Sequence, residues 1–245
     1  MEGMIDVHAH LLPGVDDGAS DWEETHWMLN CAYEQGIRAV IATPHYSHRQ
    51  EPGRLRRKAE RLAEEAKKIA PDFKVYLGQE ILYFESMIER LQEGHALTIA
   101  GSRYVLVEFM PQTPYTKIYQ GVRKIMLAGY HPVIAHVERY DALREQEQME
   151  ELAQTGCMMQ MNYRSLQGSI FDRNVRWCRR QVLEGRIGLL GTDAHHRDFR
   201  TPEISGSLRW LESHAGSQLA AMTRNHALEI LAQGMTECQV QKSEK

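Results

Sequence analysis

Seven short apolar runs recur between Met4 and His195, and each is followed by a stretch with helical periodicity. The runs are "MIDVHAH", "RAVIATPH", "KVYLGQE", "RYVLVEF", "HPVIAH", "CMMQMNY" and "RIGLLGTDAH". Between the first two, "SDWEETHWMLNCAYEQG" reads as a helix opened by a Ser20/Glu23 capping box and stopped at Gly36. "GRLRRKAERLAEEAKKIA" is amphipathic, with Leu55, Ala59, Leu62, Ala66 and Ile69 on one side. A shorter helix is expected near "FESMIERLQEG", and others over "KIYQGVRKIMLAG", 139–155 and 170–184. Two more follow the last strand, near 203–213 and 217–233. Alternation of this kind makes a parallel sheet with helices outside it. Seven units point to an α/β, TIM-barrel-like closed sheet rather than an open one, although periodicity alone does not close it. The expected organisation is one domain over 1–236 and a polar, frayed tail over 237–245.

The 245 residues suffice for a sizeable core, and 42% hydrophobic with 25% charged is a globular composition. The formal net charge of −4 argues against bulk nucleic-acid binding. Cys31, Cys157, Cys178 and Cys238 form no C-x-x-C pair and read as reduced thiols of a cytoplasmic protein. The opening "MEGMIDVHAH" has no basic n-region and no apolar h-region, so no secretion signal is expected. No apolar stretch reaches the roughly 18 residues of a membrane span.

In barrels of this kind the chemistry sits where the strands end. The first strand places Asp6, His8 and His10 on one face and Ile5, Val7 and Ala9 on the other. Three polar groups on a buried face need a common partner, and a divalent metal supplies one. Asp16, Asp17 and Gly18 lie just beyond. The next strands end in His45, Glu80, Glu108 and His136, and the last in Asp193 and His195. Only the sixth, ending "QMNY", offers no charged ligand. Solvated loops would mix in Lys and Ser freely, so the set points to metal. The donors are too many for one ion and suit two or three, and all-N/O donors favour Mn, Fe or Zn.

"DVHAH", "TPH", "GQE", "VEF", "IAHVERY" and "TDAH", in this order, resemble the polymerase-and-histidinol-phosphatase (PHP) family. "DVHAHLLPGVDDGA" and "PVIAHVERY" are similar to its bacterial manganese-dependent protein tyrosine phosphatases of the CpsB/YwqE type. The resemblance spans Met4 to about Gly234. It implies a distorted (βα)7 barrel holding three metals, most simply Mn. By its pattern, His8 and His10 serve one metal with Glu80 and Asp193. Glu80 bridges to a second metal held by Glu108 and His136. Asp17, rather than Asp16, joins His45 and His195 at the third. Asp6, one layer deeper, is expected to orient a ligand histidine. Arg139 and Arg200 are the implied phosphate-holding pair, with Arg197 competing for the second place in "HHRDFRTP".

The reaction so implied is phosphotyrosine hydrolysis by a metal-bridging hydroxide attacking phosphorus in line. The implied substrate is the Tyr-rich tail of a bacterial tyrosine kinase controlling capsule or exopolysaccharide production, and homo-oligomerisation is left open. No nucleic acid and no membrane insertion are expected. A thiol-phosphatase route would need C-x5-R, and the residues six beyond the four cysteines are Ile37, Tyr163, Glu184 and Glu244. Histidinol phosphatase or another small-molecule phosphoesterase is the rival enzyme reading. A nuclease is disfavoured by the acidic balance. A metal-stabilised binding module is disfavoured by the crowding, since structural sites are closed and usually single. The helix from Arg54 to Lys68 carries seven Lys/Arg against three Glu; it reads first as a solvated face and second as an attractor of acidic peptide. His48 and His196 are candidate general acids, each more simply an ordinary loop histidine.

Overall fold

Short, nearly continuous apolar runs buried on both faces fix the strands, and parallel pairing of successive strands fixes their order. In the computed structural model, which describes residues 3–214 and 216–243, β1 (Met4–Ala9) pairs with β2 (Ile37–Ala42), and β2 pairs with β3 (Lys74–Leu77). A second run joins β4 (Glu80–Leu82), β5 (Tyr104–Glu108), β6 (His131–Ile134), β7 (Met158–Asn162) and β8 (Leu189–Gly191), each parallel to the next. The two sheets meet at both ends. His10 N–H donates to the Ala194 carbonyl (2.8 Å), and Asp193 N–H donates to His8 (2.7 Å), so β1 lies beside the end of β8. Gly191 permits this approach, because a Cβ there would stand 2.7 Å from the His8 Cβ.

The third expected strand, "KVYLGQE", is bent rather than continuous. Its first half stays with β2, and its second half crosses to β5. At the crossing, Glu80 N–H donates to Pro44 (3.1 Å) and Tyr46 N–H donates to Glu80 (2.8 Å). Gln79 secures the bend, its oxygen accepting from Leu97 N–H (2.9 Å) and its amide donating to Gln50 (3.0 Å).

The helices follow their apolar faces. In α2 (Pro52–Ile69), Leu55, Ala59, Leu62 and Ala66 are buried. A buried leucine of this kind contributes about 1.5–3 kcal/mol. At α1 (Trp22–Glu34) the cap stands one residue later than the sequence suggests. Asp21 accepts from Glu24 N–H (2.9 Å), and the Glu24 carboxylate accepts from both the N–H and the hydroxyl of Ser20 (2.8 Å each). Glu24 is preferred to Glu23 because its other oxygen reaches the loop after β8, accepting from Arg197 N–H (3.2 Å).

The helix expected over 139–155 is broken into two 3₁₀ turns, Val137–Arg139 and Asp141–Arg144, before α5 (Gln146–Gln154). Buried Tyr140 anchors the break, donating its hydroxyl to Ala135 (2.9 Å) and accepting from Phe109 N–H (3.2 Å). Helices α3 (Met87–Gln92), α4 (Tyr115–Leu127), α6 (Arg173–Leu183) and α7 (Ser205–His214) complete the outer layer. The last helix, α8, covers Gly216–Ser243, so residues 237–243 of the expected frayed tail are helical, and Glu237 pairs with Arg103 (3.0 Å). Ala227, Ile230 and Leu231 of α8 pack with Ile5, Val7, Leu106 and Leu189 of the strands. Among the described residues, no helix is long and apolar enough to cross a membrane.

Candidate metal centre

The strand ends converge. His8, His10, Glu80, His136, Asp193 and His195 are all buried, and Glu108 is 20% exposed. Donor atoms of His8, His10 and Asp193 lie within 4.8 Å of one another, as do those of His10, Asp17, His45 and His195, and those of His45, Glu80 and Glu108. Glu80 is central. Its Oε2 stands 3.2 Å from His8 Nε2, 3.3 Å from His10 Nε2 and 3.0 Å from His45 Nδ1. Its Oε1 is 2.8 Å from His136 Nε2, which is 3.4 Å from Glu108. Asp17 lies 3.4 Å from His45 Nε2 and 3.6 Å from His195 Nε2. All nine residues singled out from the sequence are thus brought to one place.

Oxygen atoms behind the histidines set their tautomers. His8 donates Nδ1–H to Gln160 Oε1 (3.1 Å), His10 to Asp16 (2.7 Å) and His195 to the Asp193 carbonyl (3.0 Å). Each Nε2 is left facing the cluster. His8 Nε2 and His10 Nε2 then stand 3.2 Å apart, crowded onto one buried oxygen of Glu80, and buried His195 Nε2 has no hydrogen-bond partner. Buried polar atoms in that state are costly, and a cation between them removes the cost. The residues therefore fit divalent metal, with N and O donors suited to Mn, Fe or Zn.

Electrostatics carry the same message. Burial alone would raise the Glu80 carboxyl, yet His8, His10 and His136 hold it well below the usual range. Burial likewise opposes ionisation of Asp193, but His8, His10 and Arg139 outweigh it. Burial would lower His10, whereas Asp16, Asp193 and Glu80 push it well above its ordinary value. His195 goes the other way, down to about 3, from burial and from the neighbouring His10 and Arg200. The carboxylates stay charged and demand positive partners, and one histidine is kept neutral and ready to ligate.

Neighbouring residues divide the work. Asp16 lies behind His10 and also accepts from the N–H groups of His45 (2.8 Å) and Gly18 (3.1 Å), while Asp17 faces the cluster. Gly18 is required here, since a Cβ would meet the His10 carbonyl oxygen at 2.4 Å. Asp6 does not orient a ligand side chain. It accepts from Thr192 N–H (2.8 Å) and hydroxyl (2.6 Å) and from His8 N–H (3.3 Å), tying β1 to β8, and burial raises its pKa to about 6.

The sixth expected strand, β7, supplies what the sequence did not announce. Gln160 Oε1 accepts from both His8 and His136 N–H (2.7 Å), and Asn162 donates to Asp193 (2.9 Å). Neutral amides lack the charge that marked the other strands. The one signal was two amides spaced i, i+2 on a buried strand.

Arg139 and Arg200 both pair with Asp193, one on each carboxylate oxygen. Arg197 points elsewhere, toward Glu23 (3.9 Å) and Asp198 (3.8 Å). His136, Asp193 and Arg200 have φ of 30°, 52° and 56°. Non-glycine residues in that region are strained, and such residues gather at functional sites. His48 contacts the Tyr46 hydroxyl (3.2 Å) and His196 contacts Glu24 (3.2 Å), so neither belongs to the cluster.

Comparison with known proteins now decides the family. The sequence profile described as "Capsular polysaccharide synthesis, CpsB/CapC" matches residues 4–231. The chain belongs to the CpsB/CapC family. It is 35% identical over 230 residues to the tyrosine-protein phosphatase CpsB of Streptococcus pneumoniae, covering 89% of this chain and 93% of that one. It is 34% identical over 245 residues to the tyrosine-protein phosphatase YwqE of Bacillus subtilis (strain 168), covering 95% and 93%. A solved structure described as one of the "unique metal-dependent tyrosine phosphatases" YwqE from Bacillus subtilis and CpsB from Streptococcus pneumoniae superimposes with a TM-score of 0.85 at 32% identity, covering 94% of this chain and 95% of that one. The phosphotriesterase homology protein of Escherichia coli, at 12% identity and a TM-score of 0.60, shares the fold alone.

Proposed function

We propose that this CpsB/CapC family member is a metal-dependent protein tyrosine phosphatase, with His8, His10, Asp17, His45, Glu80, Glu108, His136, Asp193 and His195 holding two to three divalent ions, Mn first among them. The observation that carries the reading is the crowding of His8 Nε2, His10 Nε2 and His45 Nδ1 within 3.0–3.3 Å of one buried Glu80 oxygen, with His8 and His10 Nε2 only 3.2 Å apart. Metals bound there supply a nucleophilic oxygen at neutral pH and stabilise charge on the phosphoryl group.

The chain's own side chains do the rest. Gln160, Asp16 and the Asp193 carbonyl aim the ligand histidines. Arg139 and Arg200 are poised on the Asp193 carboxylate, from which their planar forks can turn to phosphate oxygens. Phenolate, with a pKa near about 10, leaves without strong acid assistance. Cysteine nucleophiles have no place in this scheme. Burial pushes the Cys157 thiol up to about 11 and Cys178 up to about 12, away from the thiolate such chemistry needs.

The physiological substrate in this reading is the tyrosine-rich tail of a bacterial tyrosine kinase governing capsule or exopolysaccharide production, encountered in the cytoplasm. The test is kcat/KM for a phosphotyrosine peptide, a phosphoserine peptide and L-histidinol phosphate, with Mn and after chelation, alongside elemental analysis. Phosphotyrosine should win and chelation should abolish turnover. Histidinol phosphate winning tenfold, about 1.4 kcal/mol of transition-state preference, would transfer the assignment to a small-molecule phosphatase.

A further inference from the structure

The first half of α2 is built against its own stability. Arg54, Arg56, Arg57, Lys58 and Arg61 crowd the positive end of the helix dipole, with Glu60 the one carboxylate among them and no acidic residue in the first turn. Cations are the unfavourable choice at that end, and like charges three and four apart repel. The second half of the helix shows the ordinary arrangement, with Lys67 and Lys68 near its C-terminus paired to Glu64 and Glu65 (2.8 Å each). Arg54, Arg57 and Arg61 share one exposed side of the helix. Of these, Arg61 lies over the Trp22 ring (4.0 Å), and Lys58 beside them donates to the Pro13 carbonyl. Two shallow hollows of about 240 and 360 Å3 meet at Arg54. The first is bounded by Val15, Arg49 and Gln50, the second by Trp22, Arg57 and Arg61, and Glu51 is the single carboxylate on either.

This surface adjoins the metal centre. Val15 directly precedes Asp16 and Asp17, and Arg49 and Gln50 follow His45 within a few residues. The Gln50 amide donates to the Val15 carbonyl (3.2 Å), joining the two loops. The other arginine-rich helix, α6, is different in kind. There Arg176 is occupied by the Ile170 and Phe171 carbonyls (3.1 and 3.0 Å), and Arg179 by Leu166 (3.0 Å) and Gly168 (3.3 Å).

We propose that the Arg49, Arg54, Arg57 and Arg61 surface docks an acidic peptide segment flanking the phosphotyrosine, so that substrate choice rests on charge beside the reacting residue. The inference builds on the phosphatase reading and names its substrate class. The occupant follows from charge: guanidinium groups crowded at a helix N-terminus, in a chain of net charge −4, are complementary to carboxylates. From Arg54 to Arg61 the helix rises about 10 Å, which three or four residues of extended peptide cover.

The test separates docking from catalysis. Fluorescence anisotropy is measured with labelled tyrosine peptides of equal length whose flanks are Asp/Glu or the matching Asn/Gln. The proteins are the wild type and R54Q/R57Q/R61Q, and p-nitrophenyl phosphate turnover with Mn is followed in parallel. The wild type should bind the acidic peptide about tenfold more tightly at low salt, with the margin shrinking as salt rises. The triple variant should lose that margin while p-nitrophenyl phosphate turnover stays unchanged. Equal binding of the two peptides by the wild type, or a margin that survives in the variant, would overturn the proposal. So would a wild type that prefers phosphatidylglycerol vesicles or polygalacturonate and ignores the peptide's charge. A charge margin with no turnover of any phosphate would leave the docking surface standing and defeat the phosphatase reading instead.

Discussion

The ends of β1 and β7 face the same cluster and do different work. β1 delivers two imidazoles straight to it. β7 delivers two neutral amides, and they touch the backs of the groups that form the cluster. Gln160 holds the His8 ring and the His136 backbone, and Asn162 holds Asp193. The contrast separates affinity for a cation, which needs lone pairs, from geometry, which needs hydrogen-bond partners that hold those lone pairs in place.

Several measurements would sharpen or break this division. The largest effect is expected at the β1 end. His8→Ala should lose bound metal and lower turnover by about a thousandfold or more, because the ligand itself is gone; full metal content in a folded His8→Ala protein would contradict the assignment. Arg139→Ala should cost about a hundredfold in kcat/KM by removing a charge-assisted contact to phosphate, with metal content normal. If elemental analysis showed metal falling there as it does in His136→Ala, the arginine would be supporting the cluster instead of the substrate. Gln160→Leu, close in volume but without donor or acceptor, should weaken metal affinity or activity by about 10–100-fold. An effect as large as that of His8→Ala would mean that β7 does more than position.

Smaller still is a stability effect outside both strand ends. Glu24 is the link between α1 and the loop after β8. Burial would raise its carboxyl, but Ser20, Arg197 N–H and His196 bring it down to about 2. A depressed carboxylate stabilises fully above its unfolded value of 4.5 and loses that contribution as pH falls through about 2. The wild-type advantage over Glu24→Gln, at most about 3 kcal/mol, should therefore shrink between those two pH values. A constant difference across chemical denaturation curves at several pH values would refute it. The smallest effect belongs to the thiols. Replacing all four cysteines with Ala should leave turnover of the folded protein within about twofold, since none stands in a C-x5-R sequence.

The sequence made the cluster legible because metals select His, Asp and Glu, and those residues at six strand ends stand out by chemistry alone. Helix faces such as Leu55 to Ala66 were legible by period. Harder to read was anything carried by neutral groups or by backbone geometry. Gln160 and Asn162 look like ordinary strand polarity until the His8 ring is seen against them. Asp6 shares a face with His8 and His10 in an ideal strand, yet its carboxylate is drawn sideways to Thr192. The left-handed backbone of His136 and Asp193 has no residue-type signature, and the bend at Gly78–Gln79 rests on long-range contacts, Gly78 against Ile99 and Gln79 with Leu97 and Gln50. Nor could side-chain type distinguish Arg197 from Arg200; only the path of the chain does.

The junction of β1 with the end of β8 has a mechanical consequence. Backbone pairing there is sparse, and Asp6 with Thr192 adds two side-chain hydrogen bonds across it. His8 and His10 reach the cluster from one side of this seam, Asp193 and His195 from the other. Whatever cation fills the cluster is therefore also a clasp on the barrel. Occupancy stabilises the folded state by mass action, by about 2.7 kcal/mol when free metal stands at a hundred times its dissociation constant. Stripping the metal should open the seam first, exposing amides near Asp6 and Thr192 to hydrogen exchange while the pairing of β5 with β6 stays protected.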